Sequence, residues 1–224
     1  MISISNRFTG EEIYCFDGDS LREADLHGAN LHEANLCEAD LFRVNLFGAN
    51  LFGANLEEAD LREADLREAD LREAVLHGVD LRRADLRRAD LREADLRRVD
   101  LHGVDLREAD LHGVDLREAD LREADLREVD LREVDLRGAN LRRADLRGAD
   151  LRRVDLREAN LTDAKGIVCL GTDPRGYRFV GVQHDDGWWI SAGCRWFTLD
   201  EAKIHWANNS DALARINTLS EKTI

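Results

Sequence analysis

The side chains of this 224-residue chain that could do chemistry fall into two sets. Near the C-terminus, Cys194 with His184 or His205 could form a thiol and its base, the minimal kit for nucleophilic attack. Earlier, His27, His32, His77, His102 and His112 stand among many Asp and Glu residues, the types that ligate metals or exchange protons. Neither set has the arrangement its chemistry needs. No zinc-ligand spacing, phosphate-binding loop or nucleophile elbow occurs. Nothing near Cys194 supplies an oxyanion site, and the five histidines recur in a slot that arginine fills elsewhere, which reads as solvated surface. No catalytic, cofactor-binding or metal-ligating residue is expected, and the chain is read as a non-enzyme.

The slot exists because the sequence is periodic. Leu recurs at every fifth position from Leu21 to Leu161, 29 times without interruption. Two residues before each leucine from Leu26 onward stands Ala or Val, from Ala24 to Ala159. Directly before it stands Asp or Asn, with Ser20 and Val75 as the departures. The remaining pair is usually Arg-Glu, Arg-Arg, His-Gly or Phe-Gly. A period of five matches neither the ~3.6 of an α-helix nor the ~2 of a strand, so the chain must turn at every repeat to keep its leucines on one side. If each pentapeptide is one side of a square coil, Leu and Ala/Val point inward, and only a small residue fits beside each Leu.

This pattern resembles the pentapeptide repeat family, whose fold is a right-handed quadrilateral β-helix with four repeats per turn. The resemblance covers residues 21 to about 164 and implies an all-β main body of about seven coils, a rod on the order of 34 Å long at ~4.8 Å per coil. The open ends of such a stack need covers. Residues 1–20 read as an N-terminal β-hairpin cap, with strands over Ile2–Ser5 and Glu12–Phe16 around a Gly-containing loop. The Asn6-to-Gly10 opening is similar to those of bacterial and phage-borne members. Residues 165–224 read as a small α+β domain that holds all four tryptophans. Its expected elements are a strand Tyr177–Val182, a turn His184–Gly187, a strand Trp188–Ser191, a helix from Asp200 and a second from Ser210. Its Ala192-to-Ala202 string is similar to a tail module of phage-encoded members, and the domain is expected to cap the rod and to make a homo-oligomer.

A formal net charge of −15 argues against direct binding of nucleic acid or anionic lipid. No apolar run approaches the ~20 residues of a membrane helix, and Met1-to-Arg7 lacks the apolar core of a signal peptide, so a cytoplasmic location is expected. Four cysteines without a CxxC pair suit a reducing compartment.

Members of the resembled family that bind DNA gyrase are thought to imitate the shape and charge of duplex DNA, which makes the charge map informative. Across residues 21–160 the position before Leu carries 20 Asp and the two after it 24 Arg and 15 Glu, a net −11. Duplex DNA of similar length would carry about 20 negative charges. The expected surface is a weave of Arg reaching across Asp and Glu of adjacent coils. The face of Leu21, Leu41 and Leu61 comes out neutral and the other three acidic. Phe42, Phe47 and Phe52 occupy the outward position of three successive repeats, with Gly48 and Gly53 beside them, and are expected to be accessible. With Trp188, Trp189 and Trp196 they are the candidate protein-contact residues.

Two functions remain open on the sequence. The first is a protein-interaction solenoid, in its sharpest form a DNA mimic toward a type II topoisomerase such as gyrase or a restriction or defence factor. The alternative is a structural spacer or scaffold, phage-derived, assembled through its C-terminal domain.

Overall fold

A computed structural model describes residues 1–172, 178–184, 187–192 and 195–221. Its organising unit is the pentapeptide, and the reason is visible in where the five backbone N–H groups of one repeat go. In Leu66-Arg67-Glu68-Ala69-Asp70, the N–H of Leu66 donates to Asp85 O (2.8 Å), that of Glu68 to Arg87 O (3.1 Å) and that of Asp70 to Ala49 O (3.0 Å). Two of these reach forward and one back, so each repeat is stitched to both neighbouring coils. Ala69 N donates to Leu66 O (3.1 Å) and closes the corner, while Arg67 N donates to the Asp65 side-chain oxygen (3.2 Å). Every donor is paired without any long strand, which is what a backbone buried on one side requires.

The corner explains two more positions. A turn closed from residue i to i+3 with φ > 0 at its third residue has the type II form. The second residue after Leu has φ near +60° whether it is Gly, Glu or Arg, as at Gly48 (63°), Glu68 (58°) and Arg88 (62°). The acidic or amide residue before Leu is there because its side-chain oxygen accepts the N–H two residues on, the Asx arrangement. Val75 offers no such acceptor.

Bridges pair each residue of this series with the one twenty positions on, from Asp25 with Asn45 to Asp145 with Lys165, all parallel. Twenty residues per coil is four repeats, so leucines stack on leucines and Ala/Val on Ala/Val. From Leu41 to Leu151 every one of these leucines is at most 1% exposed.

The N-terminal strands β1 (Ile2–Ser5) and β2 (Glu12–Phe16) form an antiparallel hairpin as expected. It lies on the edge where Ala34 and Asn35 have no preceding coil. Asn35 N donates to Ser5 O (2.8 Å), Arg7 N donates to Glu33 O (2.7 Å), and Ile4 is 2% exposed within the repeat core.

At the other end, β3 (Ile167–Thr172), β4 (Arg178–His184), β5 (Gly187–Ala192) and β6 (Arg195–Thr198) make one antiparallel sheet in that order. The sequence reading had only β4 and β5; β3 and β6 are additions, and Tyr177, Asp185 and Asp186 lie outside the described residues. β4 alternates between two cores. Val180 and Val182 join the repeat core, and Phe179 joins a second core with Trp188, Ile190, Trp206 and Ile216. The sheet therefore lies between the last coil and two helices, α1 (Leu199–His205) and α2 (Ser210–Asn217), followed by a 3-10 turn Thr218–Glu221. Helix α1 begins at a capping box in which Thr198 and Glu201 satisfy each other's backbone N–H.

Candidate functional site

The outer surface is built from the same corner. Because the residue after Leu follows Asp by two positions, its side chain can fold back on that Asp. Arg67 Nε donates to Asp65 Oδ1 (2.8 Å) and Arg67 Nη2 to Asp65 Oδ2 (2.6 Å), a bidentate fork. Sixteen such Asp-Leu-Arg forks run from Asp60–Arg62 to Asp155–Arg157. The weave across coils expected from the sequence is present but secondary. Arg67 Nε is 3.8 Å from Asp85, and true cross-coil pairs occupy the second outward position, as Arg88–Glu68 (2.8 Å) and Arg143–Glu123 (2.7 Å). The fork prevails because the same corner that fixes the backbone already places the two groups in reach.

Forking holds a subset of these carboxyls, among them Asp60, Asp65, Asp70, Asp95 and Asp145, below their ordinary range. At Asp65 the hydrogen bond from Arg67 is the largest influence, opposed by burial. At Asp105 burial is the largest and pushes upward, yet the bonds from Arg107 and the charges of Arg107 and Arg87 together outweigh it. A carboxyl lowered in the folded state adds stability that is fully present above its unfolded pKa of about 3.9 and is lost as pH falls through the folded value. The thermal midpoint, followed by circular dichroism, is therefore expected to be flat from pH 7 to 5 and to fall progressively below about pH 4. A midpoint unchanged at pH 2.5 would show that the forks carry no stability.

Before Asp60 there are no forks. Asp25 is followed by His27 and Asp40 by Phe42, and Asp40 is met instead by Arg22 of its own coil (2.9 Å). Residues 21–59 carry two Arg against five Glu and two Asp, a net −5. The charges of Glu38, Glu57 and Glu58 converge near Cys37, whose thiol is pushed up by partial burial first and by these three carboxylates next.

Phe42, Phe47 and Phe52 lie in this acidic region on three adjacent sides of one coil. They are half-buried, not open as expected, because each ring is sandwiched between the planar groups twenty residues before and after it. Phe42 lies between Arg22 (4.6 Å) and Arg62 (5.4 Å), Phe47 between His27 (5.2 Å, nearly parallel) and Arg67 (5.2 Å), and Phe52 between His32 (5.3 Å) and Arg72 (5.3 Å). What remains for a partner is a belt of ring edges.

The tail tryptophans divide. Trp188 is 8% exposed in the second core and offers no surface to a partner, because β5 turns it toward the helices. Trp196 docks the tail: its indole N–H donates to Val154 O (2.9 Å) and its ring packs on the repeat core. Trp189 is half-exposed. Cys194 and the side chain of His184 lie outside the described residues, and His205 packs against Phe197 and Trp206 (4.8 and 4.7 Å). Among the described residues no group of three or more His, Cys, Asp or Glu could hold a metal ion, and no helix is long and apolar enough to cross a membrane.

The twenty-residue ladder has a counterpart in known sequences: the profile described as pentapeptide repeats matches in eight copies, over residues 20–57, 49–88, 84–123 and 124–163. The chain belongs to the pentapeptide repeat family. Pentapeptide repeats fold as a right-handed quadrilateral β-helix, and the four-repeat ladder is its four-sided coil. Similar solved pentapeptide repeat structures include HetL of the cyanobacterium Nostoc sp. strain PCC 7120, involved in heterocyst differentiation regulation. It is 34% identical over 63% of this chain and 76% of its own, with a TM-score of 0.44. QnrB1, a plasmid-mediated fluoroquinolone resistance protein, is 18% identical over 65% of this chain and 88% of its own, with a TM-score of 0.48. Rfr23 of the cyanobacterium Cyanothece 51142 is 27% identical over 52% of this chain and 86% of its own, with a TM-score of 0.24. No curated protein matches the chain.

Proposed function

We propose that this pentapeptide repeat protein is a non-enzymatic protein-binding solenoid whose acidic first coils imitate a stretch of duplex DNA toward the basic surface of a DNA-handling protein, a type II topoisomerase such as gyrase or a restriction or defence factor. The observation that carries this reading is the absence of Asp-Leu-Arg forks before Asp60. Averaged over about seven coils the rod has half the charge of DNA, but the −5 of residues 21–59 falls on about two coils, roughly 10 Å, where duplex DNA would carry about 6 negative charges. The Phe belt adds the aromatic edges that protein interfaces favour. In this reading residues 1–20 cap the recognition end, 21–164 form the rod, and 165–224 form the module for self-association.

Gyrase supercoiling in the presence of the protein tests it. The full chain is expected to inhibit in a salt-dependent manner. Joint replacement of Glu33, Glu38, Glu57 and Glu58 by Gln is expected to weaken inhibition at least tenfold, with the fold intact by circular dichroism. Equal inhibition by the wild type and this variant would exclude the first coils as the mimic. The scaffold reading is favoured by a different observation, the sixteen neutralising forks beyond Asp60, and it predicts no inhibition at any salt concentration.

A further inference from the structure

Three large apolar side chains are exposed among the described residues, Met1, Phe8 and Ile204, and Phe8 is the only aromatic one. It stands 68% exposed on the loop between β1 and β2, although the same hairpin sends Ile4 into the repeat core. The cap therefore takes its core packing from elsewhere than the Phe8 ring. The loop that carries the ring is nonetheless tightly held. Asn6 Oδ1 accepts the N–H groups of Phe8 (2.8 Å) and Thr9 (3.0 Å), Asn6 N donates to Glu11 O (2.8 Å), and Gly10 N donates to Asn6 O (3.0 Å). Two side-chain bonds clamp it to the rod: Asn6 Nδ2 donates to Glu33 Oε2 (3.0 Å) and Arg7 Nη1 to Gly53 O (2.9 Å). The Arg7 guanidinium, fixed in this way, lies over the Phe8 ring, 4.8 Å from its centre.

An apolar ring left in water gains free energy when a partner buries it, and a ring on a rigid mount loses little conformational freedom in doing so. Aromatic side chains held in that way are the anchors of protein interfaces. The surrounding charge selects the kind of partner. Residues 1–59 carry three Arg against seven Glu and four Asp, a net −8 of the chain's −15. Such a surface repels anionic lipid and nucleic acid and attracts a cationic surface. The clamp also meets the rod at Gly53, the residue after Phe52, so the loop adjoins one end of the Phe belt. We propose that Phe8 is the apolar anchor of the recognition end, inserting into an apolar pocket ringed by basic side chains on a partner protein. This rests on the DNA-mimic reading and adds to it a contact that a phosphate backbone does not offer, by which one basic surface is told from another.

Inhibition of gyrase supercoiling by the full chain tests it, compared for the wild type, Phe8→Ser, Phe8→Leu and Ile204→Ser, each with its thermal midpoint. Phe8→Ser is expected to melt with the wild type and to weaken inhibition at least tenfold while leaving its dependence on salt unaltered, because an apolar contact releases no counterions. The joint Glu-to-Gln variant of the first coils, by contrast, is expected to flatten that dependence. Phe8→Leu, which keeps an apolar side chain, and Ile204→Ser, which removes one from the tail, should both inhibit within threefold of the wild type. Wild-type inhibition that Phe8→Ser leaves unchanged overturns the anchor and leaves the DNA-mimic reading standing. No inhibition by the wild type at low salt overturns that reading and the anchor with it. A lowered midpoint in Phe8→Ser would assign the ring to the cap, and an equal loss in Phe8→Leu would deny the apolar pocket; either overturns the proposal. Sedimentation of the wild type with phosphatidylcholine vesicles, abolished by Phe8→Ser, would assign the ring to lipid and overturn the protein partner.

Discussion

Leu101→Asp is expected to break the rod in the middle. Leu101 is 1% exposed and stacks between Leu81 and Leu121, one coil away on either side, in a core with no polar side chain to meet a carboxylate. Loss of the buried methyl groups alone costs about 2–5 kcal/mol. An unpaired buried charge adds several more, unless the group stays protonated or the coil opens to water. Against a total stability of ~5–15 kcal/mol, that is enough to unfold the central coils at 37 °C. A solenoid responds in its own way, because each coil touches only its neighbours. The expected result is a broad or two-step thermal transition, with proteolytic cleavage concentrated around residues 100 to 120 and both flanks surviving longer than the cut. Leu101→Ala should lower the midpoint and keep a single transition. A Leu101→Asp chain that melts like wild type would mean that the leucine column is not the principal source of cohesion.

Gly166→Val is expected to detach the tail while sparing the rod. Gly166 has φ +80°, which a β-branched residue adopts only with strain, and a Cβ there would sit 2.6 Å from Arg147 N and from Leu146 C. Both obstacles are backbone of the preceding coil, stitched by the Leu146–Lys165 hydrogen bond (3.0 Å), so neither can step aside. The chain must leave the coil earlier, which pulls Trp196 from Val154 O and uncovers Val180 and Val182. Because all four tryptophans lie beyond Gly166, their emission isolates the event. It is expected to shift to the red and the tail to become protease-sensitive, while the far-ultraviolet dichroism of the repeats persists. Gly113→Val is the matched control. That glycine also has positive φ (74°), but nothing lies within 4 Å of its added Cβ. Equal effects of the two substitutions would locate the cost in φ alone and not in the junction.

Both predictions rest on features of unequal legibility. The leucine column was readable because a period of five allows only one inward-facing solution once Leu and Ala/Val never exchange sizes. The hairpin was readable from Ile2–Ser5 and Glu12–Phe16 flanking a loop with Gly10. The left-handed corner was half-visible. Glycine at 28, 48, 53 and 78 marks it, but Glu and Arg hold the same φ at Glu68 and Arg88, and nothing in their identity announces it. The forks were missed because opposite charges two residues apart do not face each other on a helix, and the sequence does not announce the tight corner. Only the tight corner turns Arg67 back on Asp65. In the tail, β3 and β6 are short and irregular in polarity, and they become strands through pairing with β4 and β5. Trp188 was read as a contact residue because its burial depends on α1 and α2 folding over it, which a local pattern does not record.

The ladder of twenty also sets a rotational phase. Since a repeat such as Leu66 to Asp70 donates three of its five N–H groups to residues nineteen or twenty-one positions away, the coil is indifferent to how many full turns it contains but not to fractions of a turn. Gain or loss of twenty residues would lengthen or shorten the rod by one pitch and leave the tail facing the same side. Gain or loss of a single pentapeptide would keep leucine stacked on leucine, change which outward side chains of adjacent coils face each other, and swing the tail by a quarter turn relative to the Phe belt. Such a chain would keep its leucine core and present its two ends to different neighbours, so for this architecture repeat number acts as an angular dial on the geometry of whatever it joins.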